Sequence, residues 1–456
     1  MVNASNFAEL HPGPHGETTR PMPAFSAGSE VDPHRLRWYV HVAHAPDVRQ
    51  TDMVLPLDHK LTIGRQVMDA PRMLELHDPM VSRTHVTLAP APHDAGVLVT
   101  DLQSSNGVFV DGKRVHEATV KDGAVVRVGH TVLLVQQGPR GRNPEALGMV
   151  GRSPALHELR ELVLRVGPSR LPVMVLGPTG SGKELVAQAL HKESGRSGQF
   201  VAINCAALPA TLVESLLFGH RKGAFTSAGT DHEGAFQRAH KGTLFLDEIG
   251  DMPQEVQPKV LRALESAEIL PLGASRPIQV DVRVVVATHV QLQHAVTAGH
   301  FREDLLARLQ GIVLDTPPLH RRRDDILLLL RWFLPPSHRH VPLAPDAAEA
   351  LLIHGWPRNV RELQKLAERL PVLHPDASAW DLSMLDEEMQ APLRDRGSPQ
   401  QPRLELNGPP DRDALVELLQ THGGNVSALA AAVGRNRKQV YRWMDQHGLP
   451  RGGGRA

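Results

Sequence analysis

Short apolar runs dominate the chain from Trp38 to about Gln137. Val97-Leu98-Val99, Val108-Phe109-Val110, Val125-Val126 and Val132 to Val135 alternate with turn signals such as Asp111-Gly112 and Asp122-Gly123. Asp-Gly pairs close tight hairpins because glycine accepts positive φ. Many short strands between such turns predict an all-β sandwich over residues 36–137. A Pro/Gly/Arg linker, residues 138–148, follows. Beyond it the period changes. The buried-strand runs Val173 to Leu176, Thr243 to Leu246 and Val282 to Ala287 alternate with helical stretches, which predicts a parallel α/β core over residues 149–374.

Residues 375–410 carry prolines and acidic clusters and read as a second linker. Residues 411–450 are helical. A first helix is predicted over Asp413 to His422 and is broken by Gly423-Gly424-Asn425. A second runs from Val426 to Val433, Gly434 turns the chain, and a third spans Asn436 to Gln446. Val426, Leu429, Ala430 and Val433 share one apolar face, and Val440, Trp443 and Met444 share another. That is the spacing of an all-α helix-turn-helix.

Composition narrows the function classes only slightly. The 456 residues suit about three domains, and 41% apolar content suffices for several cores. The 50 basic and 50 acidic residues balance, so whole-chain charge names no partner. Cys205 is the one cysteine, which excludes a disulfide framework and fits a reducing cytoplasm. Residues 1–35 are rich in Pro, Gly, Ser and His, lack a signal-peptide pattern and read as a disordered leader. No apolar run approaches the roughly 18 residues of a membrane helix, so a membrane is not an expected partner. The 26 histidines are scattered without metal-ligand spacing.

The candidate chemistry lies in the middle segment. Gly177-Pro178-Thr179-Gly180-Ser181-Gly182-Lys183-Glu184 follows a strand and opens a helix. Its glycines let backbone N–H groups wrap phosphate oxygens, and the helix N-terminus favours negative charge. Lys183 is placed to reach the β- and γ-phosphates of ATP. Glu184 stands where Ser or Thr is commonest. Gly242-Thr243-Leu244-Phe245-Leu246 delivers Asp247 and Glu248 to the C-terminal edge of a second strand. Asp247 can hold Mg²⁺ through water, and Glu248 can polarise the attacking water.

The flanking motifs are more specific. Phe200–Leu208 (FVAINCAAL), Leu217–Ala228 (LFGHRKGAFTSA), Phe301–Leu309 (FREDLLARL) and Gly355–Leu363 (GWPRNVREL) occur in this order. The segment resembles the AAA+ domain of bacterial sigma-54-dependent enhancer-binding proteins, an α/β P-loop ATPase with a helical lid. The resemblance implies that Asn204 restrains the catalytic Glu248. It implies that Arg302 and Arg308 act across the subunit boundary, and that Arg361 senses nucleotide from the lid. On one continuous helix Arg302 and Arg308 would stand about 120° apart and act differently. The loop Gly223, Ala224, Phe225, Thr226, Ser227 and Ala228 corresponds to the family's contact with sigma-54. Four positions depart from the family pattern: His289 stands where Asn is usual, Arg358 where Gly is, His320 where Arg is and Ser227 where Gly is. His289 remains a nucleotide-binding candidate, because imidazole can bond phosphate or water.

In the β-rich segment, Thr62-Ile63-Gly64-Arg65, Val81-Ser82-Arg83-Thr84-His85 and Leu102–Gly107 (LQSSNG) resemble the forkhead-associated (FHA) domain. The resemblance implies a phosphothreonine protein as partner. Arg65 would offer a charged fork to phosphate, Ser82 a hydroxyl and Asn106 an amide for peptide backbone. Ser105 and Arg83 would stand nearby, with His85 pinning the loops from within.

From Gly434 onward six Lys/Arg face one acid, Asp445. Arg435, Asn436, Arg437, Lys438 and Arg442 are candidates for DNA contact. Asn425-Val426-Ser427 and Arg437–Arg442 resemble the Fis-type domain of enhancer-binding proteins. The expectation is a multidomain transcriptional activator that binds an enhancer-like upstream DNA site and assembles from dimers into a hexameric ring. It would use ATP and Mg²⁺ to remodel sigma-54 RNA polymerase holoenzyme, under phosphopeptide control. Two rivals stay open: a DNA-bound FHA scaffold with a weak ATPase, and an AAA+ ATPase aimed at another protein.

Overall fold

The computed structural model describes residues 37–66, 70–92, 95–138, 147–206, 209–224, 230–394, 410, 412–421, 437–447 and 449. The expected leader, most of the first linker, Phe225 to Ala228, Arg435, Asn436 and the expected helix Val426 to Val433 lie outside the described residues.

The first unit is a two-sheet β-sandwich. Its strands are β1 (Arg37–His44), β2 (Val54–Pro56), β3 (Leu61–Gly64), β4 (Met73–Glu75), β5 (Val86–Pro90), β6 (Val97–Asp101), β7 (Val108–Val110), β8 (Lys113–Val115), β9 (Glu117–Val120), β10 (Val125–Val128) and β11 (Thr131–Gly138). One sheet runs β2-β1-β11-β10-β7-β8 and the other β4-β3-β5-β6-β9. Alternating side chains such as Val40, Val42, Leu61, Ile63, Val86 and Leu88 fill the space between them.

The second unit opens with α1 (Pro154–Val166), capped by the Ser153 hydroxyl. Then come β12 (Val173–Leu176), α2 (Lys183–Glu193), β13 (Phe200–Asn204) and α3 (Ala210–Phe218). A small hairpin, β14 (Gly219–His220) and β15 (His232–Glu233), precedes α4 (Ala235–Arg238), β16 (Thr243–Asp247) and α5 (Gln257–Ser266). A second hairpin, β17 (Glu268–Ile269) and β18 (Ile278–Gln279), leads to β19 (Arg283–Thr288), α6 (Leu292–Thr297), α7 (Glu303–Leu309) and β20 (Ile312–Asp315). The main sheet has the order β13-β16-β19-β12-β20 with parallel pairing throughout. Helices cover both faces, so central strands such as Val173–Leu176 and Arg283–Thr288 are almost wholly apolar.

The lid consists of α8 (Ile326–Phe333), α9 (Pro345–Ile353), α10 (Asn359–Leu373) and α11 (Glu387–Arg394). Here the structure departs from the expected linker at residues 375–410, because residues 375–394 are folded into the lid. Trp380 is buried, and Leu385, Met389 and Leu393 recur every fourth residue to bury one stripe against α9 and its neighbours. The acids that suggested a linker lie elsewhere on the segment: Asp386 is exposed and pairs with Arg369 at 2.6 Å. In the tail, α12 (Arg412–Thr421) and α13 (Arg437–Gln446) share a small core of Leu415, Val440, Trp443 and Met444.

Candidate functional site

The Gly-rich turn joins β12 to α2 at the C-terminal edge of the main sheet. Gly180 and Gly182 have φ of 76° and 104°, conformations that a side chain would strain. Gly182 is the N-cap of α2, so the first N–H groups of that helix face the turn. Lys183 is buried, with Nζ 3.0 Å from the Gly177 carbonyl oxygen and 3.6 Å from Glu248 Oε1. Glu184 is exposed and accepts from Gln188.

β16 brings the acidic pair to the same edge. Asp247 Oδ1 accepts from the Glu248 N–H at 3.0 Å. Burial, then the neighbouring Glu248 carboxylate, pushes the Asp247 carboxyl up. Glu248 sits in the left-handed region at φ 50°, ψ 51°. Its Oε2 lies 2.6 Å from His289 Nδ1, at the end of β19. Strain of this kind persists where the surroundings hold it, and it clusters at functional sites.

Asn204, directly across from Asp247 in the β13–β16 register, is exposed and accepts from the Ala206 N–H at 2.8 Å. In this structure the side chains within reach of Glu248 are His289 and Lys183. Cys205 beside them is buried, and burial pushes its thiol up to about 12, which keeps it an unreactive thiol.

The lid closes the pocket from above, with Asn359 and Val360 beside the expected Arg361. Asn359 Nδ2 donates to the Thr179 carbonyl at 3.0 Å, and its Oδ1 accepts from the Leu319 N–H at 2.9 Å. The Val360 N–H donates to the Gly180 carbonyl at 3.1 Å. A Cβ built on Gly180 would stand 2.4 Å from the Arg358 carbonyl oxygen and 3.1 Å from Arg361 Cβ, so Arg361 lies directly over the turn. Below it, the Ser181 and Thr316 hydroxyls are 2.6 Å apart. Asn359 had a visible signal in its Trp-Pro-Arg-Asn context, whereas Thr316 carried none.

Arg302 and Arg308 are not on one continuous helix. Arg302 is the N-cap of α7 in an extended conformation, so the expected 120° relation does not apply. Its guanidinium forks onto its own chain's Asp304 at 3.0 and 2.6 Å. Arg308 is exposed in the last turn and donates to the Leu264 carbonyl at 3.3 Å.

The loop after β14 begins at Gly223 and Ala224, above a base where Arg221 pairs with Asp231 at 2.5 Å and the His220 and His232 rings stack at 5.5 Å. Among the described residues no group of three or more His, Cys, Asp or Glu side chains converges on a metal position. A single carboxylate such as Asp247 beside a phosphate-binding turn is the kind of donor that magnesium accepts alongside phosphate and water oxygens.

At one edge of the sandwich the candidate phosphopeptide loops converge. The Arg65 N–H donates to the Ser82 carbonyl at 2.9 Å, and the Ser105 N–H donates to Ser82 Oγ at 3.1 Å. Arg65, Arg83, Ser105 and Asn106 are exposed. His85 is buried beneath them. Its Nδ1 accepts from the Ser82 N–H at 3.0 Å, so Nε2 carries the proton and donates to the Gly107 carbonyl at 3.1 Å. Burial pushes this imidazole down. Arg114 is a further cation here: a Cβ on Gly107 would meet its Nε at 2.5 Å. In the tail, Arg442 is exposed on α13, and Arg437 and Lys438 are the first residues of that helix.

Residues 149–315 match the sigma-54 interaction domain, residues 61–129 the FHA domain, and residues 320–402 the AAA+ ATPase lid domain. The lid match extends past residue 374, in agreement with the folded segment above. UacR of Escherichia coli is 42% identical over 320 residues, which covers 69% of this chain and 51% of UacR. The transcriptional regulatory protein ZraR of Klebsiella oxytoca is 40% identical over 330 residues, covering 69% of this chain and 72% of ZraR. The chain thus spans about half the length of UacR and nearly three quarters of ZraR. The crystal structure of NtrX from Brucella abortus in complex with ATP aligns with a TM-score of 0.48 and 33% identity, covering 66% of this chain and 69% of that one. No helix among the described residues is long and apolar enough to cross a membrane.

Proposed function

The chain belongs to the sigma-54 activator family of transcriptional regulators, with an AAA+ ATPase domain and an FHA domain, and from that membership we propose a specific working cycle. In the cytoplasm the protein binds an enhancer-like DNA site through its tail, with Arg435, Asn436, Arg437, Lys438 and Arg442 at the duplex. It assembles from dimers into a ring, probes a phosphothreonine protein with its sandwich, and remodels sigma-54 RNA polymerase holoenzyme at the expense of ATP.

The observation that carries this reading is the meeting of Lys183, at the start of α2, and Glu248, just after β16, 3.6 Å apart at one edge of the sheet and within the segment that matches the sigma-54 interaction domain. Backbone N–H groups of residues 179–183 hold the phosphates, and Lys183 leaves Glu248 to neutralise the β- and γ-phosphate charge. Glu248 then orients and polarises the attacking water. Asp247 would hold magnesium through water, and the ion would supply charge neutralisation at the phosphates. Arg361 reports on the nucleotide from the lid. Arg302 and Arg308 act on a neighbouring subunit, and Arg302 must first exchange Asp304 for that partner. The loop from Gly223 to Ala228 carries Phe225 to sigma-54.

The test is transcription in vitro from a sigma-54 promoter that carries the protein's own binding site. Wild type activates. Phe225→Ala hydrolyses ATP without activating, and Ser227→Gly activates at least as well as wild type. A wild-type protein with normal turnover and DNA binding but no activation would redirect the ATPase to another target.

A further inference from the structure

The sandwich and the lid are built around one shared apolar core. Val125, Val132 and Leu134 of the sandwich lie in the same buried cluster as Ile326, Ala347 and Leu351 of the lid. Polar groups close the seam. Arg127 Nε lies 2.8 Å from Glu349 Oε2, and the Glu349 side chain is fully buried. Arg323 donates to the Gly123 carbonyl at 2.6 Å, and the Gln136 amide donates to the Asp324 carboxyl. The hairpin turn at Gly112, φ 81°, comes so close that a Cβ there would stand 2.9 Å from the Pro392 carbonyl oxygen. A loosely tethered domain meets its neighbour through a wet, polar patch. A buried charge pair instead demands a fixed geometry, because separating its members strands a desolvated charge.

Residues 322–325 face both ways from this seam. Arg323 and Asp324 hold the sandwich. Arg322, buried, donates to the Ser181 carbonyl of the phosphate-binding turn at 3.3 Å. Asp325 accepts from the Arg152 N–H at 2.6 Å, the Ser153 N–H at 2.9 Å and the Ser153 hydroxyl at 2.7 Å, at the start of α1. On the sandwich side, a chain of hydrogen bonds runs from the peptide loops to the same seam. Asn106 Nδ2 donates to the Met80 carbonyl at 2.7 Å, and the Met80 N–H donates to Asp78 at 2.9 Å. Asp78, buried, accepts from the His130 N–H at 2.7 Å and the Thr131 hydroxyl at 2.9 Å. Thr131 opens β11, the strand that carries Val132, Leu134 and Gln136 into the lid.

We infer that the sandwich is a built-in wall of the lid, and that its peptide-binding edge and the nucleotide pocket are energetically linked through β11 and residues 322–325. The identity of the peptide ligand rests on the phosphothreonine reading above; the nucleotide half of the link does not. Linkage is reciprocal: whatever nucleotide does to the peptide edge, the peptide does to nucleotide affinity.

Hydrogen exchange on the full chain, with and without ATPγS and Mg²⁺, tests the nucleotide half. ATPγS slows exchange in residues 177–186 and changes the rate in residues 131–138 by about twofold or more. Gln136→Leu and the milder Arg323→Ala each abolish the response at 131–138 and keep that at 177–186. Protection of 177–186 with no change at 131–138 in wild type overturns the inference. Phosphothreonine library peptides that bind the full chain test the other half: their affinity shifts by about threefold or more on ATPγS loading, and Arg323→Ala removes the shift. Peptides that bind equally well in both states overturn that half. If no peptide binds, the phosphothreonine reading falls together with the peptide half, and the exchange response alone decides whether sandwich and pocket are coupled.

Discussion

His289 Nδ1 stands 2.6 Å from Glu248 Oε2, while Lys183 Nζ stands 3.6 Å from the other oxygen of the same carboxylate. Both oxygens that would polarise water are therefore engaged, one of them by a residue at the position where the family pattern has Asn.

Glu248→Gln is expected to bind ATP and to lose hydrolysis by on the order of 10²-fold or more, the range for a positioned base. His289→Ala frees one carboxylate oxygen and is expected to raise basal turnover severalfold with ATP affinity little changed. Steady-state kinetics distinguish this from the reverse result, a fall in turnover, which would make His289 an orienting partner instead of a restraint.

Asn359 bonds both the phosphate-binding turn and the start of the lid, and it is buried in a left-handed conformation at φ 53°. Asn359→Ala loses both bonds and gains backbone strain, with an expected loss of about 2 kcal/mol in stability and weaker ATP binding. Asn359→Gly relieves the strain alone. Denaturant melts should therefore place it between wild type and Asn359→Ala.

At the sandwich edge, Arg65→Ala should weaken a bound phosphothreonine peptide by about 2 kcal/mol with the fold intact. His85→Ala should weaken the same peptide and also lower the melting temperature, because it removes both bonds that tie the Ser82 loop to Gly107. Calorimetric titration and thermal melts separate the two effects. Equal binding by Arg65→Ala would show that this edge recognises something other than phosphate.

His44 gives the protein an acid-side weakness. Burial, then the Arg331 guanidinium from α8, pushes its imidazole down to about 4. The unfolded chain takes up this proton near pH 6.5, while the folded one resists until about pH 4. Stability is therefore full above pH 6.5 and falls as pH drops towards 4, by about 3 kcal/mol at most from this group. His44→Gln should flatten the melting temperature over that window, and an unchanged slope would discount the group.

The main outlines were legible in the chain itself. Val173 to Leu176 is a strand as read, because a continuous apolar run ending in a Gly-rich turn has few other places to fold. The short β runs between Asp-Gly turns do form a sandwich, and Lys183 and Glu248 meet because parallel strands deliver the Gly-rich turn and the acidic pair to one edge. Local pattern sufficed wherever the physical cause was itself local: alternation, turn chemistry, a cap.

What tertiary structure decided was everything that depends on which surfaces meet. Residues 375–394 read as polar linker because acids cluster there between two prolines, yet Trp380, Leu385, Met389 and Leu393 are enough to bury one stripe once the lid is present to receive it. The Arg302 N-cap depends on where α7 starts, and there Phe301 is buried and the Arg302 N–H donates to Gln257 of α5 at 2.9 Å. Val132, Leu134 and Gln136 looked like one more sandwich strand, and only the fold sets them against Ile326 and Asp324, more than 180 residues away in sequence. A contact between residues so far apart leaves no periodicity in either segment, so the seam between sandwich and lid appears only when the chain is folded.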